Sequence, residues 1–439
     1  MTNIAQVSTA LQNVLGSQAD ALAREKEFVR RKVKVTGSNF AQTLVFGFLN
    51  NPKMSYREMQ QAAGLSNLEI SGQGLEQRFN EACASFMKAL LEKAVQQMIS
   101  SSSDVDLDLL NRFAKIHIQD GSVIGLPDEC VAVWRGVQPD GKKGCSALKL
   151  HVSLEYKSGQ LSGPSLANGR EHDKKSPWFC QTLQKDELRI DDLGFFDLEQ
   201  LQEDAKAGGF WITRYKHEVG LQQNGQELAL LSFLQGQTSN RIDVAVQLGK
   251  NHHLPCRLIA FRADDRTVEK RKRKLRDYAR KKGVSLSEER LQLVCWTLFL
   301  TNASQERLSN LDVFALYRLR WQIELLFRLW KSYSFIDESN SQNPWRVLTE
   351  VYAKLIAVLV QHWILLISVW QISDKSVVLA CSAIRKFAVL LQINIVDTSA
   401  LSKAISIIVH ALKAVPRLLK RNINPSTFQV LSSPNLALP

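Results

Sequence analysis

The sequence predicts an α/β protein: a mixed sheet with helices against it, set between an all-helical N-terminal region and a helical C-terminal region. Three patterns lead there. Residues 1–99 have helical periodicity and no convincing strand, strand-like runs alternate with helical ones between 114 and 216, and helices dominate again from about 308 to 393. With 439 residues, 45% hydrophobic and 23% charged, the chain has apolar material for a large core and a length that suits two or three domains.

Taken in order, SYREMQQAAG (55–64) reads as a short helix, because Ser55 and Glu58 make a capping box and Gly64 can stop it. After a turn, residues 71–98 read as one much longer helix that opens with polar residues and Arg78. The pair is either a helix-turn-helix that enters a major groove or an ordinary helical hairpin. ISSSSD (99–104) is the best linker in the chain. AKIHIQDGSVIGLP (114–127) reads as a strand ending in a turn. CVAVWRG (130–136) and ALKLHVSLEY (147–156) read as two further strands separated by the PDGKKG turn. DELRIDDLGFF (186–196) is a fourth strand, DLEQLQEDAKAGG (197–209) a helix closed by glycine, and FWITRYK (210–216) a fifth strand. Residues 217–302 interrupt this alternation with the strand-like pieces ELALLSFL, RIDVAVQL, CRLIAF and LQLVCWTLFL. No internal repeat is present.

The net charge of +13 and the pI near 9.4 suit a polyanionic partner, nucleic acid first and an anionic membrane surface second. RTVEKRKRKLRDYARKKG (266–283) is the densest basic run, and LKAVPRLLKR (412–421) is a second patch. The default reading of the first run is a solvated, partly helical arm. With the global charge it also reads as a phosphate-binding surface, in which Lys270, Arg271, Lys272 and Arg273 are the candidate contacts. Seven cysteines without a CxxC pair or a Cys/His cluster argue against a zinc site and against a disulfide framework. The N-terminus lacks the pattern of a signal peptide. LIAVLVQHWILLISVW (355–370) is short for a membrane span and has Gln361 and His362 at its middle, so it reads as a buried core helix. The expected location is the cytoplasm, with no membrane partner.

Residues 317–332, YRLRWQIELLFRLWKS, read as one helix. At about 100° per residue, Tyr317, Arg320, Glu324 and Lys331 fall in a stripe roughly 60° wide, opposite Leu319, Ile323, Leu326 and Trp330. A solvated face with ion pairs is the bland reading. Against it, Arg320 precedes Glu324 by four residues, the less favourable order, and such a face has no need of a tyrosine. Asp120 stands at a strand end before a glycine turn, and Asp191 and Asp192 end the fourth strand. In open sheets functional groups gather at strand ends. If the first and fourth strands are neighbours, two carboxylates converge there, and Glu324 adds a third. Three carboxylates repel unless a cation joins them, and Mg²⁺ suits such a set.

These residues resemble the DDE-type insertion-sequence transposases with a Tyr-x2-Arg-x3-Glu-x6-Lys signature. Tyr317, Arg320, Glu324 and Lys331 meet every spacing, within RWQIELLFRLWK. IQDGSVIGLP resembles the family's first-Asp region, and DDLGFF resembles its Asp-x-Gly-[Phe/Tyr]-Phe motif, which selects Asp192 over Asp191. FWITRYK resembles the next strand, with Arg214 and Lys216 at its end.

The resemblance implies a ribonuclease H-like core interrupted by a β-rich insertion. The implied division is a helical DNA-binding domain at 1–104, the catalytic core at 105–216 and 303–395, the insertion at 217–302, and a basic C-terminal region at 396–439. Asp120, Asp192 and Glu324 would be the catalytic and metal-binding residues, holding two Mg²⁺ ions, for which Mn²⁺ can substitute. Arg320, Lys331 and Tyr317 would contact phosphates. The implied partner is double-stranded DNA, element ends and target alike, with two protomers in a paired-end complex. Some relatives trap a flipped base with an aromatic near the end of the insertion, where Trp296 stands ahead of Leu-Thr-Asn; a strand tryptophan also reads as core.

Two other readings stay open: a ribonuclease H-like nuclease without strand transfer, and a catalytically silent DNA-binding relative.

Overall fold

The computed structural model describes residues 2–31, 34–137, 145–372, 374–419, 421 and 425–437. The PDGKKG turn (139–144) and Lys420 of the second basic patch lie outside the described residues. The fold is mixed α/β. Its ten strands are β1 (Ile116–Leu126), β2 (Ser146–Glu155), β3 (Leu161–Asn168), β4 (Leu188–Ile190), β5 (Phe210–Arg214), β6 (Leu221–Gln223), β7 (Gln226–Glu227), β8 (Arg241–Leu248), β9 (Leu254–Arg262) and β10 (Trp296–Thr301). They are hydrogen-bonded in the order β3-β2-β1-β4-β5-β10-β9-β8-β6-β7. The pairs β1–β4 and β4–β5 are parallel, while β2–β3, β10–β5, β10–β9, β8–β9, β6–β8 and β6–β7 are antiparallel.

Two compact units divide the chain, each made of three separated stretches. The first takes Met1–Asp106, Gln119–Pro177 and Gln322–Leu419, and the second takes Leu107–Ile118, Trp178–Trp321 and Lys420–Pro439. Strand β1 begins in the second and ends in the first.

The first unit is built on the helix Pro344–Leu366, which packs against the helices Glu81–Val95 and Gly37–Asn50. This is the one helix among the described residues with the length and apolarity to cross a membrane, and its apolar window is wholly buried in the protein. Its polar residues are satisfied inside: Gln361 donates to the Cys381 carbonyl at 2.9 Å, and the His362 Nε2 lies 2.8 Å from the Gly159 carbonyl oxygen. Burial pushes His362 down to about 4, so its ring is neutral at physiological pH.

The capping box at Ser55 is present, and Asn343 caps the core helix ahead of Pro344. The stretch 71–98 is not one helix. It breaks between Arg78 and Glu81, because Phe79 turns into the core beside Tyr56 and Asn80 caps a new helix through the Cys83 N–H at 3.0 Å. ISSSSD is no free linker: the N–H of Ser101 bonds the Ser158 carbonyl at 2.9 Å, and Asp104 pairs with Lys157 at 3.3 Å. CVAVWRG is a short 3-10 turn and loop with only a bridge at Arg135, since its backbone finds local i−3 partners. The third strand in sequence is instead β3, whose Gly163 and Pro164 hid it. It is an edge strand, where proline is tolerated.

In the second unit the central strands β4 and β5 and the helix Leu198–Lys206 stand where expected, and Gly208 leaves that helix with φ +80°. β10 pairs with β5, so the strands of 217–302 extend the sheet. ELALLSFL is mostly the helix Leu230–Gln235, and LQLVCWTLFL splits into the helix Glu288–Leu293 and β10. Short apolar runs carry no period long enough to separate helix from strand. One apolar core joins Trp211, Leu258, Leu298 and Trp296.

Candidate functional site

Strand β4 has three residues and brings two aspartates to its C-terminal end. Leu188 and Ile190 are fully buried, and Arg189 between them is buried on the other face of the strand. Its Nε donates to Asp204 at 2.7 Å, and Asp204 also accepts from the Leu183 N–H at 2.9 Å. Breaking such a buried pair typically costs about 3–5 kcal/mol, so the turn after β4 is firmly seated. Asp191 is buried, with its carboxylate 4.0 Å from Arg189. Asp192 is the more exposed of the two, and its carbonyl accepts the Phe195 N–H at 3.0 Å to start the turn.

Tyr317 belongs to the same unit. The expected continuous helix is interrupted here: one helix ends at Tyr317, the next runs Arg320–Arg328, and a π-turn follows over Leu329–Tyr333. Leu319 N–H bonds the Leu316 carbonyl at 2.8 Å, a tight i−3 turn that leaves both leucines fully buried. The 100° spacing therefore does not hold across the stretch, and the single stripe is corrected.

What replaces it is a local cluster. The Tyr317 ring lies 5.0 Å from Phe299, and the Arg320 guanidinium stands 6.0 Å from its centroid. Its hydroxyl is buried without a hydrogen-bond partner. Burial first, then the Asp192 and Asp191 charges, push the phenol up to about 12 against the opposing charges of Arg214 and Arg320. Asp192, Arg214, Tyr317 and Arg320 are thus one electrostatic neighbourhood.

In the first unit Asp120 lies inside β1 and not at a strand end, because the strand runs on to Leu126. Its carboxylate accepts the Gly121 N–H at 2.7 Å. A side chain on the residue after it would have to displace its neighbours: a Cβ on Gly121 would stand 2.7 Å from Asp173 Oδ1 and 3.1 Å from Lys149 Cε. Those two atoms belong to an ion pair closed at 2.6 Å. Glu324 is half-buried on a helix whose Ile323, Leu326 and Phe327 are buried. Lys331, carried by the π-turn, donates to the Val123 carbonyl at 2.7 Å and ties that segment to the far half of β1.

The donor set would be carboxylate oxygens, which suit a hard divalent ion. Asp120 and Glu324 lie in one unit and Asp192 in the other. Among the described residues no three His, Cys, Asp or Glu side chains form a group placed to hold a metal ion.

A cleft of about 490 Å³ in the second unit is lined by Arg214, Arg271, Lys274, Tyr278, Arg290 and Trp296, among others. The basic run is the helix Asp265–Lys282, capped by Asp264 and ended by Gly283 with φ +63°. Arg271 is committed to the fold: its guanidinium donates to the Val294 carbonyl at 3.0 Å and to Thr297 Oγ1 at 2.7 Å. Lys270 and Arg273 are exposed, and Lys272 makes a loose 3.6 Å pair with Glu269. Trp296 is buried in the core, 5.9 Å from the Arg262 guanidinium. Tyr278, which the sequence reading did not single out, is the exposed aromatic of the cleft; only the helix's orientation reveals it.

The family described as "Transposase DDE domain" matches residues 112–360. The chain is 28% identical over 368 residues to the transposase for insertion sequence element IS231F of Bacillus thuringiensis subsp. israelensis, across 77% of this chain and 75% of that protein. It is 23% identical over 408 residues to the transposase for insertion sequence element IS1151 of Clostridium perfringens, across 86% and 83%. To the putative transposase InsL for insertion sequence element IS186A of Escherichia coli it is 27% identical over 254 residues, across 55% and 64%.

Proposed function

Because this chain belongs to the transposase DDE domain family, we propose that it is the transposase of a bacterial insertion sequence, acting on double-stranded DNA in the cytoplasm. It would bind the element's terminal inverted repeats, cut at the element end, and join the freed 3′-hydroxyl to target DNA. The observation that carries the reading is the Asp192 neighbourhood, in which a protonated phenol and two guanidinium groups accompany a carboxylate at a strand end. Carboxylates alone would repel a phosphodiester. Arg214 and Arg320 supply compensating charge, and Tyr317, its buried hydroxyl unspent within the protein, would donate to a non-bridging phosphate oxygen once DNA binding uncovers it.

The strand order β3-β2-β1-β4-β5, with β1, β4 and β5 parallel, supports a ribonuclease H-like core. Asp120, Asp192 and Glu324 are the residues proposed to hold two Mg²⁺ ions, or Mn²⁺ in their place. Bound there, the ions would supply an activated oxygen nucleophile and charge neutralisation at the leaving oxygen. Lys331 would contact phosphate by exchanging its carbonyl partner. In the cleft, Trp296 would form the wall against which an extruded base rests, and outside its lining Lys270, Lys272 and Arg273 would meet the backbone.

Asp120→Ala, Asp192→Ala and Glu324→Ala should each lower cleavage by roughly a thousand-fold, the order expected for losing several kcal/mol of charge stabilisation, with end binding by gel shift retained. An active Asp192→Ala beside a dead Asp191→Ala would reverse the assignment of the second acid. Joined products on the same gel separate a transposase from a nuclease that only cuts.

A further inference from the structure

One reading places the DNA-facing surface of the N-terminal helices on the two-helix stretch 55–98, but its charge does not fit that role. It contains four cations, Arg57, Arg78, Lys88 and Lys93, and five carboxylates, Glu58, Glu69, Glu76, Glu81 and Glu92. The preceding segment REKEFVRR (24–31) contains four cations and two carboxylates in eight residues. We propose that this segment, with Arg78, is a phosphate-backbone clamp for duplex DNA. The inference rests on the reading that the chain acts on DNA, and it assigns that contact to a loop instead of a recognition helix.

A charge run is usually a solvated arm, and here the geometry argues otherwise. Phe28 at the middle of the segment is buried, its ring 4.8 Å from Phe40 and 5.3 Å from Phe86. The chain reaches it through a tight turn: Glu27 has φ +56°, and the Val29 N–H bonds the Ala23 carbonyl at 2.9 Å. The loop is therefore seated by an aromatic anchor, and its cations are held with it. The Arg78 guanidinium stands 6.0 Å over the same Phe28 ring.

Two clefts flank the loop and share Glu27, Val29, Arg30 and Arg31 as a common wall. One, of about 730 Å³, adds Lys26 and Arg78; the other, of about 570 Å³, adds Arg24. Both open onto cations, which suits a strand of phosphates on either side of a cationic ridge. Three of the acids nearby are engaged: Glu27 pairs with Arg30 at 3.0 Å, Glu25 with Lys26 at 2.7 Å, and Asp20 accepts the Ser38 N–H at 2.8 Å; Glu81 also lines the larger cleft. Exposed pairs of this kind are weak and exchange readily for phosphate. Arg24, Arg31 and Arg78 have no carboxylate partner within ion-pair distance among the described residues.

The test uses the full chain and a random-sequence 30-base-pair duplex, with affinity measured against salt. The triple variant Arg24→Ala, Arg30→Ala, Arg31→Ala removes exposed side chains only, and should flatten the log–log salt slope by about 0.9 per lost contact, two to three in all. Arg57→Ala should leave the slope unchanged, and the triple lysine variant at positions 24, 30 and 31 should restore it. Wild-type binding with an unchanged slope in the alanine triple would overturn this surface alone, as would a slope lost in the lysine triple. Failure of the wild-type chain to bind the duplex would overturn the surface and the DNA reading together.

Discussion

Burial, followed by the charges of Asp192 and Asp191, makes Tyr317 a hydrogen-bond donor that keeps its proton up to about 12. An unfolded tyrosine ionises near 10. The folded state therefore favours the protonated form. That contribution to stability is complete below about pH 10 and is lost as the pH rises from there towards 12. Because the hydroxyl has no partner inside the protein, Tyr317→Phe should leave the denaturation midpoint almost unchanged. If the phenol donates to a phosphate in the transition state, its loss should slow single-turnover cleavage by roughly 10- to 100-fold, the range for a hydrogen bond to a charged group. Cleavage at the wild-type rate would remove Tyr317 from the chemistry.

The helix Asp265–Lys282 shows how one element divides its labour. Its cations look alike in sequence, yet Arg271 is turned inward and bonded to the β10 segment, while Lys270, Lys272 and Arg273 make no such bonds. Arg271→Ala should destabilise the second unit by about 1–3 kcal/mol, since it leaves the Val294 carbonyl and the Thr297 hydroxyl short of a donor. Lys270→Ala, Lys272→Ala and Arg273→Ala should each stay within about 0.5 kcal/mol of wild type. Each should also flatten the salt slope on duplex DNA by up to about 0.9. Urea melts and salt titrations on the same four variants check both halves. If Arg271→Ala melts like its neighbours, the inward bonds contribute little.

At the scale of the whole molecule, apolar helix is divided between the core and the surface. The helix Pro344–Leu366 is consumed by its own core. Further on, Leu379 at 47%, Ile393 at 54% and Val396 at 84% are among the apolar residues left exposed. A paired-end complex of two protomers should make catalysis depend on both active sites. Mixing Glu324→Ala protein with wild type on element ends should then lower double-end cleavage as the square of the wild-type fraction. A linear fall would show that each protomer cuts alone.

Local chemistry determined much of this protein from sequence. The capping box at Ser55, the period-2 pattern of β2, the aspartates after β4 and the Gly208 helix stop all rest on contacts within a few residues, so the sequence carries them directly. The candidate residues themselves were legible for the same reason, as motifs with fixed spacing.

What tertiary packing decided were the interruptions. The helix break after Tyr317, the split at Phe79 and the helical turn of residues 230–235 follow from which side chains the core demanded, overriding local period. Strand β3 was hidden because its glycine and proline read as a turn until the sheet gave it an edge. The same holds for function: the motif singles out Asp192, but only the folded chain shows that Asp191 is buried and Asp192 more exposed, and that Arg271 turns inward beside the exposed Lys270 and Arg273. Burial and partnership arise between residues distant in sequence, and no local pattern encodes them.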